Sequence, residues 1–158
     1  MRQRSPLWPA AALLLGIVLT LAGAPAARAA DGPGKVYVLR IDGGQVIDPG
    51  LAQFADRVFN QAGADPDAVA IAVVLDTPGG YVDSAARIKD RLLTPPNRLK
   101  TIAYVENAAI SAGALIGTAA EYLYMHPGSV IGAAEPRTLG TGQPADYKAL
   151  SVVVKSFT

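Results

Sequence analysis

The sequence predicts an α/β fold in which consecutive crossover units build a mostly parallel sheet flanked by helices. Segments of strand composition alternate with segments of helical spacing from Val36 onward. Ala70 to Leu75 is an unbroken apolar run, too short for a typical helix and suited to a strand covered on both faces. A Pro78-Gly79-Gly80 turn then separates that run from the next helical pattern.

Residues 1–29 are set apart as an export leader. Arg2 and Arg4 give a basic start, Ala10 to Ala22 an apolar run, and Ala27-Arg28-Ala29 a small-x-small cleavage signal. A bilayer span takes roughly 20 apolar residues, so a cleaved signal is expected rather than a permanent anchor. The predicted location is the periplasmic or extracytoplasmic face. By length, residues 30–158 form one domain.

Within that domain, Val36 to Ile41 has the β-branched and aromatic content of a strand and is ended by Gly43-Gly44. Asp48-Pro49 reads as a cap and first-turn proline. Leu51, Phe54, Ala55, Val58, Phe59 and Ala62 follow at helical spacing. After the Ala70 to Leu75 strand, Val82, Ala85, Ile88 or Lys89, and Leu92 predict a second helix, stopped by Pro95-Pro96. Thr101 to Val105 is a third strand, Ser111 to Ala120 a helix of small residues, and Tyr122 to Met125 a fourth strand. Asp146 opens a last helix with Ala149, Val152 and Val153 apolar; it reaches Thr158 without a capping glycine, so a truncated sequence is expected.

Composition narrows the chemistry. There is no cysteine, which removes thiol nucleophiles, disulfides and cysteine metal sites. The chain carries 14 Lys and Arg against 13 Asp and Glu; without Arg2, Arg4 and Arg28 the balance is 11 against 13, which gives no reason to expect a nucleic-acid partner. No metal-ligand cluster or phosphate-binding loop is visible, and no cofactor is expected.

Two short segments carry the functional reading. Gly79-Gly80, after a buried strand, allows backbone N–H groups to face a ligand, although most such pairs are simple turns. Ser111 precedes Ala112-Gly113-Ala114 at a helix start, where free N–H groups favour developing negative charge. Serine is also a preferred N-cap residue, and local sequence alone favours that reading.

Three motifs in order shift the balance. Leu75-Asp76-Thr77-Pro78-Gly79-Gly80, Ala109-Ile110-Ser111-Ala112-Gly113 and Pro127-Gly128-Ser129-Val130-Ile131-Gly132-Ala133-Ala134-Glu135-Pro136 resemble the glycine turn, nucleophile segment and downstream strand-and-turn of the ClpP-class serine peptidases of the NfeD family. The resemblance covers residues 35–158 and implies the repeated β-β-α units of the ClpP/crotonase superfamily. It implies Ser111 as nucleophile, with the N–H groups of Gly80 and Ala112 as oxyanion donors. Ala134 stands where the more distant soluble relatives carry a catalytic histidine; His126, eight positions earlier, reads as a strand-end or surface residue. NfeD-like peptidases use a Ser-Lys dyad, and the resemblance places the lysine at Lys148, near the start of the last helix.

Lys155 competes for that role, seven residues on and about 10 Å along a helix axis. To act as a base near neutrality, the Lys148 amine must titrate about three pH units below its ordinary value near 10.4, which burial in an apolar cleft could supply. Asp76 reads as a strand-end or loop residue and Asp83 as a helix cap; neither is assigned to catalysis. The resemblance further implies hydrophobic stretches of membrane-associated proteins as substrates, a stomatin-like partner, and a homo-oligomer completing the cleft. Two other readings stay open: a pseudo-peptidase that binds peptides or membrane proteins without cleaving them, and a crotonase-like acyl-thioester enzyme.

Overall fold

A computed structural model describes residues 33–134. The expected leader (1–29), the helix expected from Asp146, and both Lys148 and Lys155 lie outside the described residues. Strand β1 (Lys35–Ile41) leads to helix α1 (Pro49–Ala64), then β2 (Ala68–Thr77), α2 (Val82–Leu93), β3 (Lys100–Ile110), α3 (Ala112–Gly117), β4 (Tyr122–Met125) and β5 (Val130–Gly132). The sheet order is β1-β2-β3-β4, every neighbouring pair parallel, and β5 pairs with the last rungs of β3, beyond β4. The predicted mostly parallel α/β architecture is the one observed.

Helix α1 begins as the sequence predicts. The Asp48 carboxylate accepts the Leu51 N–H at 2.7 Å, and Pro49 occupies the first turn. Its inward stripe of Leu51, Ala55, Val58, Phe59 and Ala62 is buried. Burial of a side chain such as Phe59 stabilises the fold by about 1.5–3 kcal/mol. Helix α2 starts differently from the expectation. Its cap position is Tyr81, which makes no side-chain cap bond, and Asp83 sits inside the first turn. The bridge between Ile47 and Gly80, with the Tyr81 N–H donating to the Ile47 carbonyl, fixes where the chain can begin to coil, so Asp83 is not the cap.

Strands taken in sequence order, each parallel to the last, place right-handed crossovers on one side of the sheet. Helices α1, α2 and α3 accordingly pack side by side as a single layer. Leu39, Ile41, Ile71, Val73, Leu75, Ala103 and Val105 point into that layer and are fully buried. On the opposite face Ala70 and Val74 are also largely covered, but Val36 and Val38 on the edge strand are 50% and 54% exposed. Strands β2 and β3 both exceed the expected lengths. The extension of β3 to Ile110 matters most, because it carries the strand directly to Ser111.

A polar knot closes the opposite end of the sheet. Asp65, just past α1, accepts from the Asp67 N–H at 3.0 Å, the Lys35 ammonium at 3.0 Å and the Tyr37 hydroxyl at 3.0 Å. The Asp67 N–H, then Lys35, hold its carboxyl below the ordinary value of 3.8. A carboxylate with a depressed folded-state pKa contributes stability above its unfolded value and loses that contribution as pH falls through the folded one. The melting temperature of the wild type should therefore fall as pH drops below about 3.8. Asp65→Asn should flatten the curve in that window; parallel curves for the two proteins would show that Asp65 contributes nothing there.

Candidate active site

Parallel neighbours end on the same side of a sheet, so the turns that follow β2 and β3 lie together at their carboxyl ends, where α/β folds commonly bind ligands. The last paired rung is Thr77 with Ala109. Two residues beyond it on each strand are Gly79 and Ser111, and they touch. A Cβ added to Gly79 would lie 2.8 Å from the Ser111 Cβ, 2.8 Å from the Ile110 carbonyl oxygen and 3.2 Å from the Ala112 nitrogen. Gly79 also has φ +110°, a conformation that disfavours side chains. Only glycine fits there.

The hydrogen bonds of the glycine turn are divided between its two residues. The Gly79 N–H donates to the Thr77 hydroxyl at 3.1 Å, and its carbonyl accepts from the Ile47 N–H at 2.9 Å. Tyr81 donates to the Ile47 carbonyl at 2.8 Å. Because both flanking peptides bond to Ile47, the Gly80 N–H points away from that partner, and no described residue accepts it. A Cβ at Gly80 would come within 2.2 Å of the Ile47 carbonyl oxygen, so close approach again demands glycine.

Ser111 joins β3 to α3 in an uncommon backbone conformation, φ 54° and ψ −115°. Its side chain makes no capping hydrogen bond, which removes the simple N-cap reading for this hydroxyl. The Ser111 N–H donates to the Gly132 carbonyl at 2.8 Å, so β5 braces the turn from the other side. Ala112 opens α3, where the first N–H groups of a helix have no partner within it, and none of the described residues accepts its N–H. The structure thus gathers Gly80, Ser111 and Ala112, three of the four residues singled out by sequence. The fourth, Lys148, lies outside the described residues, as do Lys155, Glu135 and Pro136.

His126 is at a strand end, as expected. Its N–H donates to the Val105 carbonyl at 2.8 Å, and its ring Nδ1 shares a hydrogen bond with the Tyr104 hydroxyl at 3.0 Å. Val105 precedes Ser111 by six residues along β3, roughly 15–20 Å of extended chain, which keeps His126 away from the serine. Asp76 lies in β2 and accepts from the Asn107 side chain at 3.2 Å, a structural role. Among the described residues no group of three His, Cys, Asp or Glu side chains could hold a metal ion. Sequence reasoning missed Thr77 and Gly132. Thr77 carried a weak signal, a threonine directly before Pro-Gly-Gly, whereas the role of Gly132 depends on a pairing that no local pattern discloses.

A non-glycine residue held in this region stores about 1–3 kcal/mol of backbone strain. Glycine would relieve it at an entropic cost of roughly 0.5–1 kcal/mol. Ser111→Gly should therefore raise the unfolding free energy by about 1 kcal/mol in chemical denaturation. An unchanged or lower value would mean that the serine conformation is unstrained.

The family described as NfeD1b, N-terminal domain, matches residues 35–158. The chain is 39% identical over 144 residues to the membrane protein NfeD1b of Bacillus subtilis (strain 168), covering 89% of this chain and 31% of that protein. It is 38% identical over 104 residues to the membrane-bound protease PH1510 of Pyrococcus horikoshii, covering 64% of this chain and 22% of that protein. The chain therefore spans less than a third of the length of either relative. Two solved structures of the 1510-N membrane-bound stomatin-specific protease share the fold. A serine-to-alanine variant superposes with a TM-score of 0.68 at 29% identity, covering 79% of this chain and 61% of that one. A lysine-to-alanine variant in complex with a substrate peptide gives 0.67 at 30%, covering 79% and 58%. Matched by the family over residues 35–158, the chain belongs to the NfeD1b N-terminal domain family.

Proposed function

We propose that this domain is a serine endopeptidase working through a Ser111–Lys148 dyad, with the N–H groups of Gly80 and Ala112 as the oxyanion hole. The observation that carries the reading is the contact between the glycine turn and Ser111. The Ser111 hydroxyl makes no capping bond, and no described residue accepts the N–H groups of Gly80 and Ala112, the next residues after Gly79 and Ser111. Fixed donors of this kind stabilise the charge that develops on a carbonyl oxygen under attack. The relatives add support: the solved neighbours are a serine and a lysine variant of a protease, one of them holding a substrate peptide.

In the proposed reaction the neutral Lys148 amine takes the Ser111 proton as Oγ bonds to the peptide carbonyl carbon. The Gly80 and Ala112 N–H groups hold the resulting oxyanion. Collapse breaks the C–N bond, and the lysine ammonium returns its proton to the leaving amine. Water, deprotonated by the same lysine, then attacks the acyl ester; Oγ leaves and recovers its proton. The substrates are apolar stretches of membrane-associated, stomatin-like proteins, in keeping with the stomatin-specific protease among the relatives. The domain acts on the extracytoplasmic side, and a homo-oligomer completes its cleft. No described helix is long and apolar enough to cross a membrane.

A pseudo-peptidase with the same fold would bind such segments without forming an acyl-enzyme. A fluorophosphonate probe and a quenched fluorescent peptide rich in valine, leucine and phenylalanine separate the two readings in the full-length protein. The wild type should be labelled and should cleave the peptide. Ser111→Ala should abolish labelling, and either Ser111→Ala or Lys148→Ala should lower kcat by on the order of 10⁴ or more. Cleavage that survives both substitutions would overturn the assignment, and an unlabelled, inactive wild type would establish the binding protein.

A further inference from the structure

Thr77 is the one polar side chain buried where the two halves of the candidate oxyanion site meet, and it is 1% exposed. As the last residue of β2 it continues the inward row of Ile71, Val73 and Leu75, yet it carries a hydroxyl where that row is otherwise apolar. A buried hydroxyl needs partners, and this one has two. It donates its proton to the Gln45 carbonyl at 2.6 Å and accepts the Gly79 N–H at 3.1 Å. The first bond ties the turn to the loop after β1. The second consumes the Gly79 N–H and so fixes the Pro78–Gly79 peptide, the unit directly before the one that carries the Gly80 N–H.

The methyl group of the same side chain faces α3. A Cβ added to Gly113 would lie 2.7 Å from the Thr77 Cγ2, so the threonine methyl fills the space left by the missing side chain in the second residue of that helix. One residue thereby grips the turn that carries Gly80 through its oxygen and the helix that begins at Ala112 through its methyl.

We propose that Thr77 is a positioning residue for the oxyanion site. Its hydroxyl holds the glycine turn so that the Gly80 N–H is aimed at the reacting carbonyl oxygen, and its methyl sets the spacing between that donor and the Ala112 N–H. This rests on the serine-peptidase reading. Thr77 touches neither substrate nor nucleophile; it acts through Gly79 and Gly113. Bonds that aim a donor matter most when charge appears on the oxygen, so their loss should fall on kcat rather than on KM.

Thr77→Val preserves the shape of the side chain and removes the hydroxyl, while Thr77→Ser keeps the hydroxyl and removes the methyl. Both are assayed in the full-length protein with the same fluorescent peptide. Rates are normalised to sites titrated by the fluorophosphonate probe at saturation, so that loss of folded protein does not count as loss of rate. Thr77→Ala replaces the valine variant in the comparison should the latter fail to accumulate. The expected result is a fall in kcat per titrated site of about 10- to 100-fold for Thr77→Val, with KM within about threefold of wild type. Thr77→Ser, which keeps the aiming bond and loses only the methyl spacer, should lower kcat less, by about 3- to 10-fold. A valine variant with kcat unchanged per site would overturn the proposal and leave the peptidase reading standing. An effect confined to KM, or an equal fall in the serine variant, would overturn it as well. An inactive, unlabelled wild type would instead fail the peptidase reading itself.

Discussion

The site depends on the register of one parallel pair. Between the rung of Leu75 with Val105 and the rung of Thr77 with Ala109, β2 advances by two residues while β3 advances by four. The irregularity absorbs the excess on β3, and only this offset brings Ser111 level with Gly79. A strand rises about 3.3 Å per residue, so a regular ladder would carry the serine roughly 6–7 Å past its present place. Bulges commonly re-aim side chains near functional sites, and here one determines which residue meets the glycine turn.

Close approach then dictates side-chain size. Gly79 abuts Ser111, Gly80 abuts Ile47, and Ala112 is buried behind the serine. The small residues that make this region look unremarkable in composition are what allow two turns, a helix start and the end of β5 to converge. Their backbone polar groups are largely used: Gly79 by Thr77 and Ile47, Ser111 by Gly132. Set against that pattern, no described residue accepts the Gly80 or Ala112 N–H; Gly80 is exposed, whereas Ala112 is buried, and buried backbone donors are rarely left without an acceptor.

Much of this was legible in the sequence for identifiable reasons. The Ala70 to Leu75 run, the Asp48-Pro49 start and the helical spacing through Ala62 are local signals, and each element appears where they place it. Gly80, Ser111 and Ala112 were singled out because glycine and serine at element boundaries carry chemical meaning, aided by motif order. What stayed hidden was non-local. Tyr81 rather than Asp83 begins α2 because a bridge to Ile47 overrides the cap preference of aspartate. Strand β3 runs past Val105 because β5 supplies partners for Ala108 to Ile110, and a three-residue strand has no periodicity to read. Thr77 stood only as one residue of the glycine-turn motif, and its role rests on a bond to the distant Gln45 carbonyl that no local pattern discloses.

The conformation of Ser111 has an evolutionary corollary. Its backbone sits where selection for robustness alone would discard the β-carbon, so the hydroxyl persists only while something rewards it. In a lineage released from that reward, drift at this codon would run downhill toward the achiral residue. The identity of position 111 across descendants would then serve as a fossil record of when the chemistry was kept and when it was abandoned.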